Sequence, residues 1–326
     1  MNYRQLGRTG LRVSRVILGC GNFGGIGSSP EFFGKGEDQR EAFALMDHAW
    51  ELGINCFDTA DAYGGGASEA TIGAWMATKG PEVRDQVLIA TKVFNRVGPG
   101  PNDWGLSRHH IQRQVEASLR RLGREAIDLY LVHEPDPTTP IDETLRALDD
   151  LVRAGKLRYL GASNFPAWRL CRALWHSDKH GLARFEFVQN SFSLFDRGDE
   201  RELLPLCEAE QLGYTPFSPL AGGWLTGVYG RGRAYPPGSR MTMRPESYRR
   251  LECPLVDRSL DRLETLAAAR GCSMAALALA WLLHHPRVTA PIVGPTEPAH
   301  FAPIREALGL SLDVDDLHAL AEVVAP

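Results

Sequence analysis

The chain has 326 residues, 44% of them hydrophobic and 23% charged, with a formal net charge of −4. This composition suits a water-soluble globular protein with a large core, and it lacks the clustered basic excess of a nucleic-acid footprint. The longest apolar run, Met274 to Leu283, is too short to span a bilayer and reads as a buried helix.

The opening MNYRQLGRTG has no apolar stretch of the signal-peptide kind, so none is expected. YRQLGRTGLRVS follows as a hairpin with RTG at its turn. Eight short β-branched runs then recur, most about 30 residues apart: RVILG (15–19), NCFDTA (55–60), VLIATKV (87–93), IDLYLVH (127–133), LRYLGASN (157–164), FEFVQN (185–190), GYTPFS (213–218) and TAPIVG (289–294). Between them, residues 40–52, 68–79, 107–122, 142–154, 166–177 and 199–212 carry apolar residues at helical spacing. Asp38, Ser68, Ser107 and Asp142 sit where N-caps belong, and Pro166 fits an early helical position. Continuous apolar strands separated by helices imply a parallel sheet covered on both faces. Eight such units predict an α/β fold, a closed (β/α)8 barrel of the TIM type with the hairpin capping its bottom. The last interval is longer, with a loop at 221–255 and two further helices at 256–270 and 273–284. Six scattered cysteines (Cys20, Cys56, Cys171, Cys207, Cys253, Cys272) without a C-x-x-C pair or metal spacing fit free thiols in a cytoplasmic protein with no metal site.

Active sites of such barrels lie at the C-terminal ends of the strands. Those ends supply Asp58, Lys92, His133, Ser163, Asn164, Gln189, Asn190, Phe217 and Ser218, and Tyr63 follows the second run in a loop with three glycines. A buried charge is costly unless paired, so Asp58 and Lys92 are expected to pair. A tyrosine ionises near pH 10. A nearby ammonium stabilises the phenolate and lowers that value, so Tyr63 can give a proton to a carbonyl oxygen while His133 donates a hydrogen bond to it. The plainer alternative is a structural ion pair in an idle barrel; Tyr63 and His133 in the same register argue against it.

These residues and the ordered set GINCFDTADAYGGGASEATIG, IATKV, IDLYLVHEPDP, GASNF, VQNSFSL, FSPLAGGWLTG and PPGSR resemble the aldo-keto reductase superfamily, in the bacterial branch similar to potassium-channel β subunits. The resemblance covers nearly the whole chain and implies one barrel domain over 1–326. It implies a catalytic tetrad of Asp58, Tyr63, Lys92 and His133, and a nicotinamide cofactor bound without a Rossmann domain. Ser163, Asn164 and Gln189 would hold the carboxamide, and Phe217 would stack on the nicotinamide. Ser218, Leu220, Gly222 and Arg240 would face the diphosphate. Gly21 and Asn22 would lie beside the nicotinamide, and Gly294, Thr296 and His300 would lie toward the adenosine. The pattern departs at Val228, where the family places a lysine, and at Glu297, whose charge is wrong for a 2′-phosphate. NADPH is expected, with NADH possible. The implied activity is reduction of a small aldehyde or ketone. A sugar or alcohol dehydrogenase and a cofactor-binding regulatory β-type subunit stay open, although His133 is present where those subunits depart. Phe23, Phe32, Phe33, Phe94, Trp104 and Trp224 are candidate pocket walls.

Overall fold

The structure, a computed structural model, describes residues 1–230 and 232–324. Two antiparallel strands, β1 (Tyr3–Gln5) and β2 (Arg12–Ser14), form the N-terminal hairpin. Eight parallel strands follow: β3 (Ile17–Gly19), β4 (Cys56–Asp58), β5 (Leu88–Val93), β6 (Ile127–Val132), β7 (Leu157–Ser163), β8 (Phe185–Gln189), β9 (Gly213–Tyr214) and β10 (Ile292–Val293). Their order in the sheet is β10-β3-β4-β5-β6-β7-β8-β9. The sheet curls until its ends meet. The Thr289 amide donates to the Tyr214 carbonyl at 2.8 Å and the Ile292 amide to the Pro216 carbonyl at 2.8 Å, which closes the (β/α)8 barrel.

Side chains alternate across each strand. In β5, Ile89 and Val93 pack outward against the helices, whereas Leu88 and Ala90 join Ile17, Cys56, Leu129, Leu131, Phe187, Ala290 and Ile292 inside the barrel. Leu6 and Val13 of the hairpin belong to this interior cluster. A Cβ on Gly213, at the start of β9, would lie 2.6 Å from Leu6. The hairpin therefore plugs the N-terminal ends of the strands, as expected. Between β7 and β8 the register shifts at Leu160 and Gly161. The Phe187 ring fills the space above Gly161, where a Cβ would approach it to 2.5 Å.

Helices cover the outside, including Gln39–Glu51, Ala67–Ala77, Arg108–Leu122, Ile141–Arg153 and Ala167–His180. Asp38 and Ser107 cap as expected, Asp38 in a reciprocal capping box with Glu41. The other two expected caps are corrected. Asp142 lies in the first turn after Pro140, where its charge suits the helix dipole. Ser68 is inside the helix capped by Gly66, and its hydroxyl instead donates to the Cys20 carbonyl at 2.8 Å. Pro166 stands at the N-cap itself. The 199–212 helix is shorter than expected, Leu203–Ala209 after a 3-10 turn. The long interval between β9 and β10 carries Pro254–Ala269 and Met274–His284, the latter buried from Ala275 to Leu282. Among the described residues no single helix is long and apolar enough to cross a membrane. The six cysteines are free.

Candidate active site

Asp58 ends β4, Lys92 is the penultimate residue of β5, and His133 directly follows β6, so three neighbouring strands deliver them. Lys92 is 1% exposed and Asp58 5%. The Lys92 Nζ donates to Asp58 Oδ1 at 2.5 Å and to the Thr59 carbonyl at 2.8 Å. The other carboxylate oxygen accepts from Gln189 Nε2 at 2.9 Å. A buried ion pair persists when its remaining lone pairs and protons are also satisfied, and here they are. Lys92 Nζ also lies 5.1 Å from the centroid of the Tyr63 ring.

The Tyr63 loop reaches this position because Gly64, Gly65 and Gly66 all adopt positive φ, at 58°, 68° and 98°. Only glycine takes three such residues in succession without a steric cost. The next helix is pinned behind the barrel wall. Glu69, fully buried, accepts from Thr91 Oγ1 at 2.5 Å and from Arg121 Nε at 2.7 Å. A lone acid in ASEA carries no hint of this; only the fold brings Thr91 and Arg121 to it.

His133 Nε2 lies 3.4 Å from the Tyr63 hydroxyl. Its Nδ1 accepts from the amide of Asn95 at 3.1 Å. An amide nitrogen only donates, so the ring proton sits on Nε2 and faces Tyr63. Asn95 was missed in the sequence because it sits in a loop three residues past Lys92 and belongs to no recognisable motif. Burial, then the charge of Lys92, holds His133 well below the usual histidine pKa of 6.5, so it is neutral at neutral pH. Burial pushes the Tyr63 phenol above its ordinary 10, while Lys92 pulls it back. The expected net lowering is thus corrected: the lysine offsets a desolvation cost that is larger than its own effect. Burial opposes the ammonium of Lys92, yet Asp58 and then Tyr63 outweigh it and raise its pKa.

The remaining expected residues ring this centre. Ser163 ends β7, 1% exposed, and its hydroxyl donates to the Gln189 carbonyl at 2.8 Å. Asn164 takes a left-handed φ of 58° and donates to the His133 carbonyl at 3.0 Å. Phe217 is half-buried at the barrel mouth and packs on the interior cluster. Ser218, at φ 54°, lies 3.4 Å from the Tyr248 hydroxyl, and a Cβ on Gly222 would meet the Tyr248 ring at 2.4 Å. Leu220 is half-buried beside them. Arg240 reaches across from the long loop and donates to Asn22 Oδ1 at 2.8 Å. A Cβ on Gly21 would rest 3.5 Å from the Tyr63 ring. On the far side, Gly294, Thr296 and His300 are exposed. His300 Nδ1 lies 3.2 Å from Thr296 Oγ1, and its Nε2 lies 3.4 Å from Glu297. Of the candidate walls, Phe23 and Trp224 are buried in the core at 1% and 2% exposure, so neither lines an open pocket. Phe32, Phe33, Phe94 and Trp104 stay partly accessible.

Glu37 adds a titrating group to this rim. It is 9% exposed, and its Oε2 lacks a hydrogen-bond partner. Burial raises its pKa from 4.5 to about 7, against its own backbone amide, Asn22 and Arg240, which lower it. A group whose folded pKa is raised stabilises below its unfolded value, and that contribution is lost as pH rises through the folded one. Glu37 is therefore expected to cost stability progressively between pH 4.5 and just above 7, reaching about 3 kcal/mol at most. The thermal midpoint of Glu37→Gln followed against pH should lack this decline; a parallel profile in the variant would refute the assignment.

Eight parallel strands closed into a barrel, with polar side chains gathered at their C-terminal ends, define the class in which strand-end residues carry the chemistry. Within that class the chain belongs to the aldo/keto reductase family, whose model matches residues 15–325. It is 38% identical over 331 residues to the uncharacterized oxidoreductase YrpG of Bacillus subtilis, covering 99% of this chain and 96% of that one. It is 38% identical to the versiconal hemiacetal acetate reductase of Aspergillus parasiticus, covering 90% and 88% of the two chains. It is also 37% identical to a probable voltage-gated potassium channel subunit beta of Oryza sativa, covering 91% and 88%. The family and its reductase relatives make this protein an oxidoreductase.

Proposed function

We propose that the protein is a single-domain NAD(P)H-dependent reductase that converts aldehydes or ketones to alcohols, with Tyr63 as the proton donor. The observation that carries this reading is the chain from Asp58 through Lys92 to Tyr63, with the neutral His133 Nε2 3.4 Å from the tyrosine hydroxyl. A nicotinamide cofactor fits the residues present: hydroxyl and amide groups of Ser163, Asn164 and Gln189 sit at adjacent strand ends, an accessible Phe217 ring lies beside them, and Arg240 stands over Asn22. Ser218, Leu220 and Gly222 would hold its diphosphate, and Gly294, Thr296 and His300 its adenosine. When bound, it supplies a hydride to the carbonyl carbon.

The chain's own groups do the rest. The Tyr63 proton neutralises the alkoxide as it forms, and Lys92 takes up the charge left on the phenolate. Asp58 keeps Lys92 charged in a site too dry to hold an unpaired cation. His133 cannot supply a proton as an imidazolium, because it is neutral; its Nε2–H instead orients the carbonyl oxygen. Such hydrogen bonds gain strength where water is excluded. Fluorescence titration with NADPH and NADH, followed by turnover of 4-nitrobenzaldehyde, tests the reading; saturable cofactor binding with no turnover of any aldehyde would overturn it in favour of a regulatory subunit.

NADPH is the proposed cofactor, although the pairing of His300 with Glu297 leaves an acid where a 2′-phosphate needs cations. Glu297→Arg should shift the ratio of NADPH to NADH affinity by about tenfold toward NADPH, roughly 1.4 kcal/mol. An unchanged ratio in the same titration would place Glu297 away from the ribose and remove this objection to NADPH.

A further inference from the structure

We infer that Arg244 is the anion-recognising residue of the substrate pocket, and that the preferred carbonyl substrates carry a carboxylate. The inference deepens the reductase reading and rests on it. Arg244 closes the short helix Arg240–Met243 on the long loop that crosses the barrel mouth. Its guanidinium lies over the Phe32 ring at 5.7 Å, and a Cβ on Gly27 would meet its Nη1 at 2.7 Å. Gly27 is wired to both neighbours of Tyr63. Its amide donates to the Gly21 carbonyl at 2.7 Å, and Gly21 rests against the tyrosine ring. Its carbonyl accepts from the Gly64 amide at 2.9 Å, the residue after Tyr63. Arg244 is thereby fixed beside the proton donor, close enough that its charge is among those that lower the Tyr63 pKa.

The guanidinium is held there without being consumed. Among the described residues it makes no side-chain hydrogen bond, and its one ionic contact is the exposed Glu246, 3.9 Å from Nε. The side chain is 30% exposed. Arg240, four residues earlier, differs, since its Nη2 is already committed to Asn22. A planar fork of donors, held over an aromatic ring and engaged only by the 3.9 Å contact of its Nε with Glu246, matches a carboxylate bidentately. Lys35, 5.3 Å from the same Phe32 ring, adds positive potential at this rim. The exposed acids nearby, Glu31 and Glu246, oppose it, Glu246 only through its 3.9 Å contact with Nε.

The test compares 3- and 4-carboxybenzaldehyde with their methyl esters, which lose the charge. The ester withdraws electrons more strongly than the carboxylate and makes the aldehyde intrinsically more reactive, so a preference for the acid runs against that bias. The wild type should favour at least one acid over its ester by tenfold or more in kcat/KM, mainly through KM, and Arg244→Met should erase that preference while leaving the NADPH Kd unchanged. Calorimetric binding of the corresponding hydroxymethylbenzoates, with their esters as controls, reads the same discrimination without turnover, so a failed reductase reading and a failed anion site give different results. The inference is overturned if the wild type does not distinguish acid from ester in either assay, if Arg244→Met retains the preference, or if the variant weakens NADPH binding and keeps the acid-to-ester ratio, which would make Arg244 a cofactor contact.

Discussion

Replacing Tyr63 with phenylalanine is expected to lower kcat by about a hundred- to ten-thousand-fold, the range a positioned general acid contributes, while the Kd for NADPH stays within a factor of two or so. The two readouts separate because the hydroxyl and the ring do different work. The ring packs against Gly21 and under Lys92 and survives the substitution. The hydroxyl, 3.4 Å from His133 Nε2, is the proposed proton source. His133 cannot replace it, because burial and the Lys92 charge keep the imidazole neutral. The loop does not depend on the hydroxyl either: its course is set by the three positive-φ glycines and by Glu69 behind them. Stopped-flow and steady-state turnover of 4-nitrobenzaldehyde would check the loss. Turnover in Tyr63→Phe within tenfold of wild type would move the proton source elsewhere and end the proposed mechanism.

Lys92→Met carries the second large effect, and it should appear in stability as well as in turnover. The substitution removes the cation from a carboxylate that is 5% exposed and leaves Asp58 with only the Gln189 amide. Breaking one side of a buried pair costs about 3–5 kcal/mol, because the remaining charge is neither solvated nor paired. The double variant Asp58→Asn, Lys92→Met removes both charges and should regain much of the thermal midpoint while turnover stays lost. Such non-additivity is the mark of two groups acting as one unit. A double variant no more stable than Lys92→Met would mean that packing around the aliphatic stem, and not the charge pair, governs the effect.

How much of this was legible in the sequence depends on the range of the interaction. The barrel followed from eight apolar runs alternating with helical segments, since the period-two and helical patterns are local. The pairing of Asp58 with Lys92 followed from their places at adjacent strand ends. Contacts that depend on closure did not follow. The amide nitrogen of Gln189 donates to Asp58 across the barrel, a contact that no local pattern announces. Asn95 and Arg121 became meaningful only once loops and helices were folded back onto the site. Ser68 looked like a cap by type and position, but tertiary partners captured its hydroxyl. Phe23 and Trp224 read as pocket walls by composition, and the core claimed both. The sign of the Tyr63 shift was missed because a sequence displays charges and not the depth of burial that opposes them.

The hydrogen bond from Gln189 to Asp58 joins β8 to β4, which stand on opposite sides of the eight-membered ring. With Lys92 and Ser163 beside it, this tie forms a polar floor across the full diameter of the barrel. Below it the interior is filled by aliphatic and aromatic side chains, and above it lie the loops. Ligands can therefore enter from one end only and can descend no farther than the floor. Loops above can lengthen, shorten or exchange residues such as Arg244 without transmitting strain into the packed interior. A scaffold divided in this way can change the loops around a ligand while keeping Tyr63 and the groups that hold it in place.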